Sequence, residues 1–255
     1  MHGKYYLTPK IKPQVTKMGN VQYTADDVLF DWTSFEIPKG TCAIRSLFAT
    51  FSGTNASATN GKNFDLLFAK SINGVAPPSL GDSNDAKSVI KTTAARPWII
   101  AYLGIDASEF EDAGDGLVGY NVLGSGKGST DISTRPPFVI IEGEPEYNST
   151  SGYQTVWVAG IAGATLDFGT GVNIAGDNAA DNLAIDVDNT DADDVFAIGD
   201  TVIAFDADGS GETTIGDVTA VTDAIVTVDA AGTLIADDDE LCLLSPMVFR
   251  FGFEY

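Results

Sequence analysis

The last nine residues of the chain, MVFRFGFEY, alternate strictly between large apolar side chains and smaller or charged ones. If this segment is extended, Met247, Phe249, Phe251, Phe253 and Tyr255 share one face, because successive side chains of a strand point to opposite sides. Such a face is too apolar to be left in water, since burying each ring stabilises the fold by about 1.5–3 kcal/mol. The segment therefore predicts a strand whose apolar face is covered by a second layer of structure.

Short apolar runs bounded by glycine and proline recur along the chain, and none keeps a helical period for a dozen residues. These runs lie at residues 27–40, 41–53, 64–70, 96–104, 137–144 and 152–163. In the first run the alternation changes phase between Trp32 and Phe35, which predicts a β-bulge. Brief helical turns are expected at 106–113 and 191–197. Many short strands separated by turn residues predict an all-β fold, a β-sandwich or jelly roll.

Charge is divided unevenly along the 255 residues. Residues 1–135 hold 13 basic and 13 acidic side chains, whereas residues 136–249 hold 22 acidic side chains and no lysine or arginine. The net charge of the chain is −22. Nucleic-acid binding is not expected, because phosphate contacts need lysine or arginine. A membrane span is not expected, because no apolar run reaches ~18 residues, and the acidic field is expected to repel anionic membranes. The acidic residues 136–249 predict a solvated surface whose negative charge makes the particles that carry it repel one another.

The residue pattern changes near residue 162. From there on, short segments rich in β-branched residues alternate with acidic turns. Four or five such segments in about 80 residues are typical of a small barrel. Since the aromatic C-terminal strand follows them, the barrel is predicted to be an insertion in a larger sandwich. The expected division is an extended basic arm at 1–17, a sandwich made of 18–161 and 244–255, and an acidic barrel at 162–243.

The basic N-terminal arm allows two interpretations. It holds four lysines and two prolines and shows neither a strand nor a helix period. One interpretation is a frayed terminus, since chain ends are poorly ordered unless they are held. The other is an extended arm on a neighbouring subunit, with its aromatic side chains as anchors. The candidate contact residues for an oligomer or a capsid are Tyr5, Tyr6, Leu7, Lys10 and Lys12.

The segment FDADGSGETTIGDV at 205–218 matches a calcium-binding loop at Asp206, Asp208, Ser210 and Asp217. A calcium loop of this kind needs a helix on each side, but both flanks are rich in residues that favour strands. Asp-Gly and Ser-Gly are also dipeptides of tight turns. The segment therefore predicts a hairpin turn, with a calcium site as the alternative. No other metal and no cofactor is expected.

Candidate catalytic groups are few. His2 is the only histidine, so no histidine-based triad or zinc site is expected. The glycine-rich segment at 124–130 lacks the spacing of a phosphate-binding loop. Carboxylates are abundant, but runs of carboxylates usually lie in solvent. An enzyme is therefore not expected. A glycan hydrolase, which would need two carboxylates held in a cleft, stays open as a third function class. The sequence leaves open whether Cys42 and Cys242, its two cysteines, pair with each other.

Several segments resemble virion structural proteins of tailed bacteriophages, particularly marine ones. They are DVLFDWTSFEIPKGT, NFDLLFAKSINGVAPPSLG, VWVAGIAGATLDF, IGDTVIAFD…IGDVTAV and the aromatic C-terminal strand. Together they cover most of the chain, and none is a catalytic signature. The resemblance implies a role in assembly without catalysis, in a virion put together in the host cytoplasm.

The resemblance and the division of charge together predict a capsid decoration or cement protein. The sandwich and the arm would bind the major capsid protein or other virion proteins, and also sister subunits, while the acidic barrel stays in solvent. A homo-oligomer is expected, with a trimer as the specific guess. Two alternatives stay open. One is a tail, neck or fibre component, and the other is a calcium-dependent carbohydrate-binding adhesive module with Asp206, Asp208 and Asp217 as ligands.

Overall fold

The protein is nearly all β, which confirms the predicted fold class. The computed structural model describes residues 3–15, 22–53, 63–81, 95–105, 111–112, 118–121, 139–144, 152–166, 168–169, 171–179, 182–188, 192–230 and 235–255. The strands are β1 (Tyr5–Leu7), β2 (Val28–Pro38), β3 (Cys42–Phe51), β4 (Phe64–Ala69), β5 (Ile99–Ile105), β6 (Glu111–Asp112), β7 (Val118–Asn121), β8 (Val139–Ile141), β9 (Tyr153–Ala162), β10 (Gly171–Asn173), β11 (Ala184–Asp186), β12 (Thr201–Phe205), β13 (Thr213–Thr222), β14 (Ile225–Val228), β15 (Glu240–Leu243) and β16 (Met247–Glu254). One short helix, α1, spans Ala192–Val195. No helix in the described ranges is long and apolar enough to cross a membrane.

Two sheets form a jelly roll. The first sheet has the order β1-β16-β3-β7-β6, with β8 also paired to β3, and the second has the order β2-β9-β4-β5. The pairing is nested along the chain, because β1 pairs with β16, β2 with β9, β3 with β7 and β8, and β4 with β5. An antiparallel ribbon folded over on itself gives this order, and the result is the double-sheet jelly roll. The jelly-roll alternative from the sequence is therefore confirmed.

Aromatic side chains of β16 fill the space between the two sheets. Phe249 contacts Phe30 of β2 with ring centroids 5.8 Å apart. Phe251 contacts Phe35 of β2 at 5.4 Å and Phe68 of β4 at 5.5 Å. Each such ring pair contributes about 0.5–1.5 kcal/mol beyond the area it buries. The apolar face predicted for the C-terminal segment is therefore the centre of the core.

Tyr255 is an exception to that prediction. Its side chain is 44% exposed, although the alternation placed it on the buried face. Strand β16 ends at Glu254, so Tyr255 lies past the last strand residue, where its N–H donates to Lys4 O.

A third sheet lies in the chain between β9 and β16, with the order β10-β15-β12-β13-β14-β11. Its two edge strands also meet, because Ile174 bridges Val187 and Ala175 N–H donates to Asp186 O at 2.9 Å. We call it the rolled sheet. It encloses its own core of Val172, Ile174, Ile185, Val187, Ala192, Val195, Phe196, Val202, Ala204, Ile215, Val218, Val226, Val228, Ile235, Leu241 and Leu243. The sheet agrees with a small barrel inserted in the sandwich, while the exact domain boundaries stay a prediction.

The two predicted helical turns had different outcomes. Helix α1 lies inside the predicted 191–197, which confirms that turn. The turn at 106–113 is wrong for Glu111 and Asp112, which form β6 and pair with β7. Backbone hydrogen bonds to a neighbouring strand outweigh the weak local preference of two acidic residues. The remaining residues of that turn lie outside the described residues.

The core predicts a sharp difference between two phenylalanines on adjacent strands. Phe251→Ala removes a fully buried ring between the sheets and should lower the free energy of unfolding by about 3–5 kcal/mol. Phe48→Ala, which changes a ring that is 50% exposed on β3, should cost about 0.5 kcal/mol or less. Urea unfolding followed by fluorescence measures both. Equal losses in the two variants would contradict this packing.

Candidate interface on the outer face of the first sheet

The two sheets differ in what covers their solvent sides. On the second sheet, Trp32 Nε1 donates to Pro78 O (2.8 Å), and Leu80 N–H donates to the Asp31 carboxylate (3.0 Å). These bonds hold the segment before residue 81 over the strands. Leu80 is fully buried there against Val28, Leu67, Ala159 and Ile161. The solvent side of the second sheet is thus partly covered by the chain itself.

The solvent side of the first sheet keeps large apolar side chains in water. Tyr5 of β1 is 74% exposed, Leu7 of β1 52%, Phe48 of β3 50% and Ile140 of β8 53%. We call the surface formed by the outward residues of these strands and of β16 the outer face. Its members are Tyr5, Leu7, Ala43, Arg45, Ser46, Phe48, Thr50, Ile140, Val248, Arg250, Gly252 and Glu254. Single exposed apolar residues are ordinary, but a contiguous group of them marks an interaction surface.

Strand register shows that the exposed residues belong to one patch. Tyr5 pairs with Glu254, Glu254 pairs with Ala43, and Ala43 pairs with Ile140, so four strands contribute to one row. At about 4.8 Å between strands, this row is about 14 Å wide. In the neighbouring rows Leu7 pairs with Gly252, and Phe48 pairs with Arg250.

Three members of the outer face, Ala43, Ser46 and Gly252, have small side chains or none. Gly252 has a neighbour so close that a Cβ atom there would collide with Ser46 Oγ.

The outer face is close to neutral on a strongly acidic chain. Glu254 is the only carboxylate among its members, and Arg45 Nε donates to Glu254 Oε2 at 2.5 Å. Arg45 sits at the register shift of β3, which turns its side chain toward β16. Arg250 Nε donates to Thr8 O, a neutral acceptor, at 3.3 Å. Among the described residues, Glu142 adds an exposed carboxylate at the rim, just beyond Ile140, where it accepts from Thr41 Oγ1 at 3.4 Å.

The predicted arm lies along its own chain. Tyr5–Leu7 form β1 against β16, and further on Thr8 N–H donates to Phe251 O and Val15 N–H donates to Leu244 O, both at 2.9 Å. Residues 5–7 are thus a strand of the first sheet, and residues 8–15 follow it with single backbone hydrogen bonds, while contact of the arm with a neighbouring subunit stays a prediction. Residues 16 and 17 lie outside the described residues. Of the five candidate contact residues, Tyr5 and Leu7 are placed on the outer face.

The other three arm candidates line a separate groove. Tyr6 packs on Tyr153 with centroids 5.6 Å apart, and burial, followed by Tyr153 and Glu36, raises the pKa of Tyr6. Lys12 Nζ donates to Gly199 O (3.3 Å), next to the start of β12, and Lys10 lies beside it. Together with β2 these residues enclose about 270 Å³, which we call the arm groove. The sequence candidates are therefore divided between two surfaces.

Sequence reasoning missed Phe48 and Ile140. A signal for Phe48 was present, because Leu47, Ala49 and Phe51 were assigned to one face of a strand, which leaves Phe48 as an aromatic residue on the other face. Ile140 lies in a continuous apolar run, where no alternation shows which residues point outward. Its place on the outer face follows only from its pairing with Ala43.

The hairpin predicted at 205–218 is confirmed, because β12 and β13 pair with each other and residues 206–212 join them. At the tip, Ser210 donates to Asp208 Oδ1 from its backbone N–H (2.9 Å) and from Oγ (2.6 Å). These bonds hold the pKa of Asp208 below its usual value. Ser210 Oγ also lies 3.2 Å from Asp206 Oδ2. Three of the four metal candidates therefore meet at the tip.

Asp217, the fourth metal candidate, lies elsewhere. It pairs with Thr201, whose Oγ1 donates to Asp217 Oδ1 at 2.6 Å. Thr201 begins β12 and Asp206 follows its end, so Asp217 is about 15 Å from the tip. Within the described residues no three histidine, cysteine, aspartate or glutamate side chains are grouped to hold a metal ion. A calcium site of the predicted twelve-residue form does not assemble here, and calcium binding by the tip alone stays a hypothesis.

Both cysteines are free and buried. Cys42 Sγ donates to Pro38 O at 3.2 Å in the jelly roll, and Cys242 lies in β15 of the rolled sheet. Burial, followed by the charge of Glu142, raises the pKa of Cys42 to about 11. The pairing that the sequence left open is therefore absent from this structure.

Comparisons with known proteins give only weak similarity. No family model and no curated protein matches the chain. Among solved structures, the crystal structure of the infectious bursal disease virus VP2 subviral particle is similar at a TM-score of 0.18 and 10% sequence identity. The match covers 99% of this chain and 41% of that chain, so this chain spans about two fifths of its length.

The hairpin geometry predicts the outcome of a calcium titration. With Asp217 held by Thr201 at the other end of β12, isothermal calorimetry should show no uptake of calcium at micromolar concentration. Asp208→Ala should give the same flat titration. Micromolar binding that disappears in Asp208→Ala would contradict this reading and favour the adhesive module.

Thiol alkylation tests the state of the cysteines. A pKa of about 11 keeps Cys42 protonated from pH 7 to pH 9, and only the thiolate is nucleophilic. Iodoacetamide at pH 8 should therefore label the folded protein slowly, and without any reductant it should label both cysteines in urea. A urea-unfolded chain that takes up no label before reduction would show a disulfide instead.

Proposed function

We propose that this chain is a virion structural protein, and specifically a capsid decoration or cement protein. Its outer face docks on the shell and on sister subunits, and its acidic rolled sheet stays in solvent. The role is assembly without catalysis. The partners are the major capsid protein or other virion proteins, and the site of action is the virion, assembled in the host cytoplasm.

The observation that carries the proposal is the outer face itself. Four large apolar side chains lie exposed together, and Glu254, which lies among them, is paired with Arg45. A chain of net charge −22 repels other acidic surfaces nearly everywhere else along residues 136–249. A close, dry contact at the outer face therefore costs less electrostatic free energy than one at the acidic rolled sheet.

The fold is compatible with this role but does not decide it. Double-sheet jelly rolls are found in viral capsid proteins and in lectin domains, and one fold hosts many functions. The resemblance of several sequence segments to phage virion proteins supports the first use. The nature of the exposed patch supports a protein partner, because its anchors are apolar and aromatic.

The size of the outer face indicates how attachment would work. The four strands β1, β3, β8 and β16 hold 24 residues together, which at about 3.3 Å by 4.8 Å each cover roughly 400 Å². A stable one-to-one complex buries about 800 Å² on each partner, so one such contact is weak. Several copies bound at once on a shell, or held together as an oligomer such as a trimer, gain avidity without any better contact. This favours a repeated lattice as the binding partner.

Substitutions on the outer face test the proposal. Phe48→Asp or Leu7→Asp places a charge in the patch and should lower the number of copies bound to purified undecorated shells by about tenfold or more, as measured by quantitative gel densitometry. The matched control is Ile198→Asp, which makes the same apolar-to-acid change at a residue that is 73% exposed near the rolled sheet. This control should bind as the unchanged protein does.

Two results would contradict the proposal. One is full binding of Phe48→Asp and Leu7→Asp to the shells. The other is that the unchanged protein does not bind the shells and is found instead, in a few copies, on purified tails. That result would make the protein a tail or fibre component. Circular dichroism of each variant confirms that the fold is retained.

A further inference from the structure

A tight turn at residues 72–75 begins the segment that covers the second sheet. Ile72 and Val75 exchange both backbone hydrogen bonds, each at 3.0 Å, so Asn73 and Gly74 are the two central residues of the turn. Their φ angles are 51° and 75°. Both values are left-handed, which is the type I′ geometry that the pair Asn-Gly favours. We call residues 72–75 the Asn73 turn.

The pair Asn-Gly can also react within the chain. The backbone nitrogen of Gly74 can attack Cγ of the Asn73 side chain, since glycine has no Cβ to block the approach. The N–Cγ bond forms, the Cγ–Nδ2 bond breaks, and ammonia leaves with the proton of the attacking nitrogen. Water then opens the five-membered imide at either carbonyl and leaves aspartate or isoaspartate in place of asparagine. Asn73 and Gly74 are both exposed, so water reaches them.

The geometry of the Asn73 turn opposes this reaction. At the first central position of a type I′ turn ψ is about +30°, which directs the next backbone nitrogen away from Cβ of the same residue. The reacting atoms must instead come within about 3–3.5 Å of each other. Gly74 N can therefore reach Asn73 Cγ only after rotation about the Cα–C bond of Asn73. That rotation breaks the hydrogen bonds between Ile72 and Val75.

Glu144, three residues beyond the end of β8, holds the Asn73 turn from outside. Its Oε2 accepts from Gly74 N–H at 3.1 Å, the same nitrogen that would attack, and from Ser71 Oγ at 2.5 Å. The backbone of Asn73 donates to the same carboxylate. The bonds from Ser71 and Gly74 lower the pKa of Glu144, so the carboxylate is charged at neutral pH and is the stronger acceptor for it. Because Ser71 is buried, its hydroxyl fixes where Glu144 lies.

We propose that Asn73 is a site of spontaneous deamidation and that Glu144 is the latch that keeps the reaction slow in the folded protein. While Glu144 holds Gly74 N–H, the nitrogen stays away from Asn73 Cγ, and loss of this contact frees the turn to rotate. The reaction adds a negative charge beside Glu144, and isoaspartate adds one carbon to the main chain, so a two-residue turn no longer closes. Deamidation therefore loosens the segment that leads to Leu80 and covers the second sheet. This inference does not rest on the decoration role.

Peptide mapping by mass spectrometry over several days at pH 8 tests the inference. In the folded, unchanged protein Asn73 should deamidate at least about tenfold more slowly than in the chain unfolded in guanidinium chloride. Glu144→Ala should raise the rate in the folded protein by about tenfold, because a hydrogen bond to a charged acceptor no longer has to break. Glu144→Gln keeps an oxygen acceptor without the charge and should raise the rate less. The matched control is Glu142→Ala, which removes an exposed carboxylate that accepts from Thr41, and it should leave the rate within about twofold.

The other Asn-Gly pair of the sequence, Asn60–Gly61, is a comparator in the same digest. Its rate should not change in Glu144→Ala, and an equal rise at both pairs would show a general loosening of the fold and overturn the latch. Equal rates of Asn73 in the folded and unfolded chains also overturn the inference, as does an unchanged rate in Glu144→Ala. A slower reaction in Glu144→Ala overturns it as well, because the carboxylate would then be acting as a base that assists Gly74 N.

Discussion

The aromatic face of β16 holds the jelly roll together. Phe249, Phe251 and Phe253 are buried between the sheets, and their rings contact phenylalanines on β2 and β4. The same strand pairs with β1 on one side and β3 on the other, so it also sets the register of the first sheet. Because the inward residues of β16 are fixed by this packing, its outward residues are fixed as well. The outer face is therefore a consequence of the core.

The sequence predicted features that depend on local pattern. Strict alternation identified β16. An irregularity in β2 was also predicted, but its register shifts lie between Val28 and Thr33, ahead of the predicted position, so that Val28 and Trp32 pack on the outside and Phe30 packs inside. Turn dipeptides identified the β12–β13 hairpin. These features are set by side-chain period and backbone preference within a few residues, so a single sequence contains the information.

Features that depend on long-range pairing were not predictable in the same way. The arm has no strand period of its own, and it becomes β1 only because β16 offers an edge. Asp217 matched a ligand position by spacing along the chain, but the pairing of β12 with β13 carries it away from Asp206. The patch of Tyr5 and Ile140 exists only through the register of four strands. Register at this distance is set by packing of the whole sheet, which local pattern does not specify.

The central claim is that one chain presents two unlike surfaces, a near-neutral apolar sheet for contact and an acidic rolled sheet for solvent. A cryo-microscopy map of shells carrying the protein tests it most directly. The account predicts that the β1–β16–β3–β8 surface lies against the shell or a sister subunit, and that the rolled sheet points away from the particle. A map with the rolled sheet packed against the shell and the outer face in solvent would contradict it.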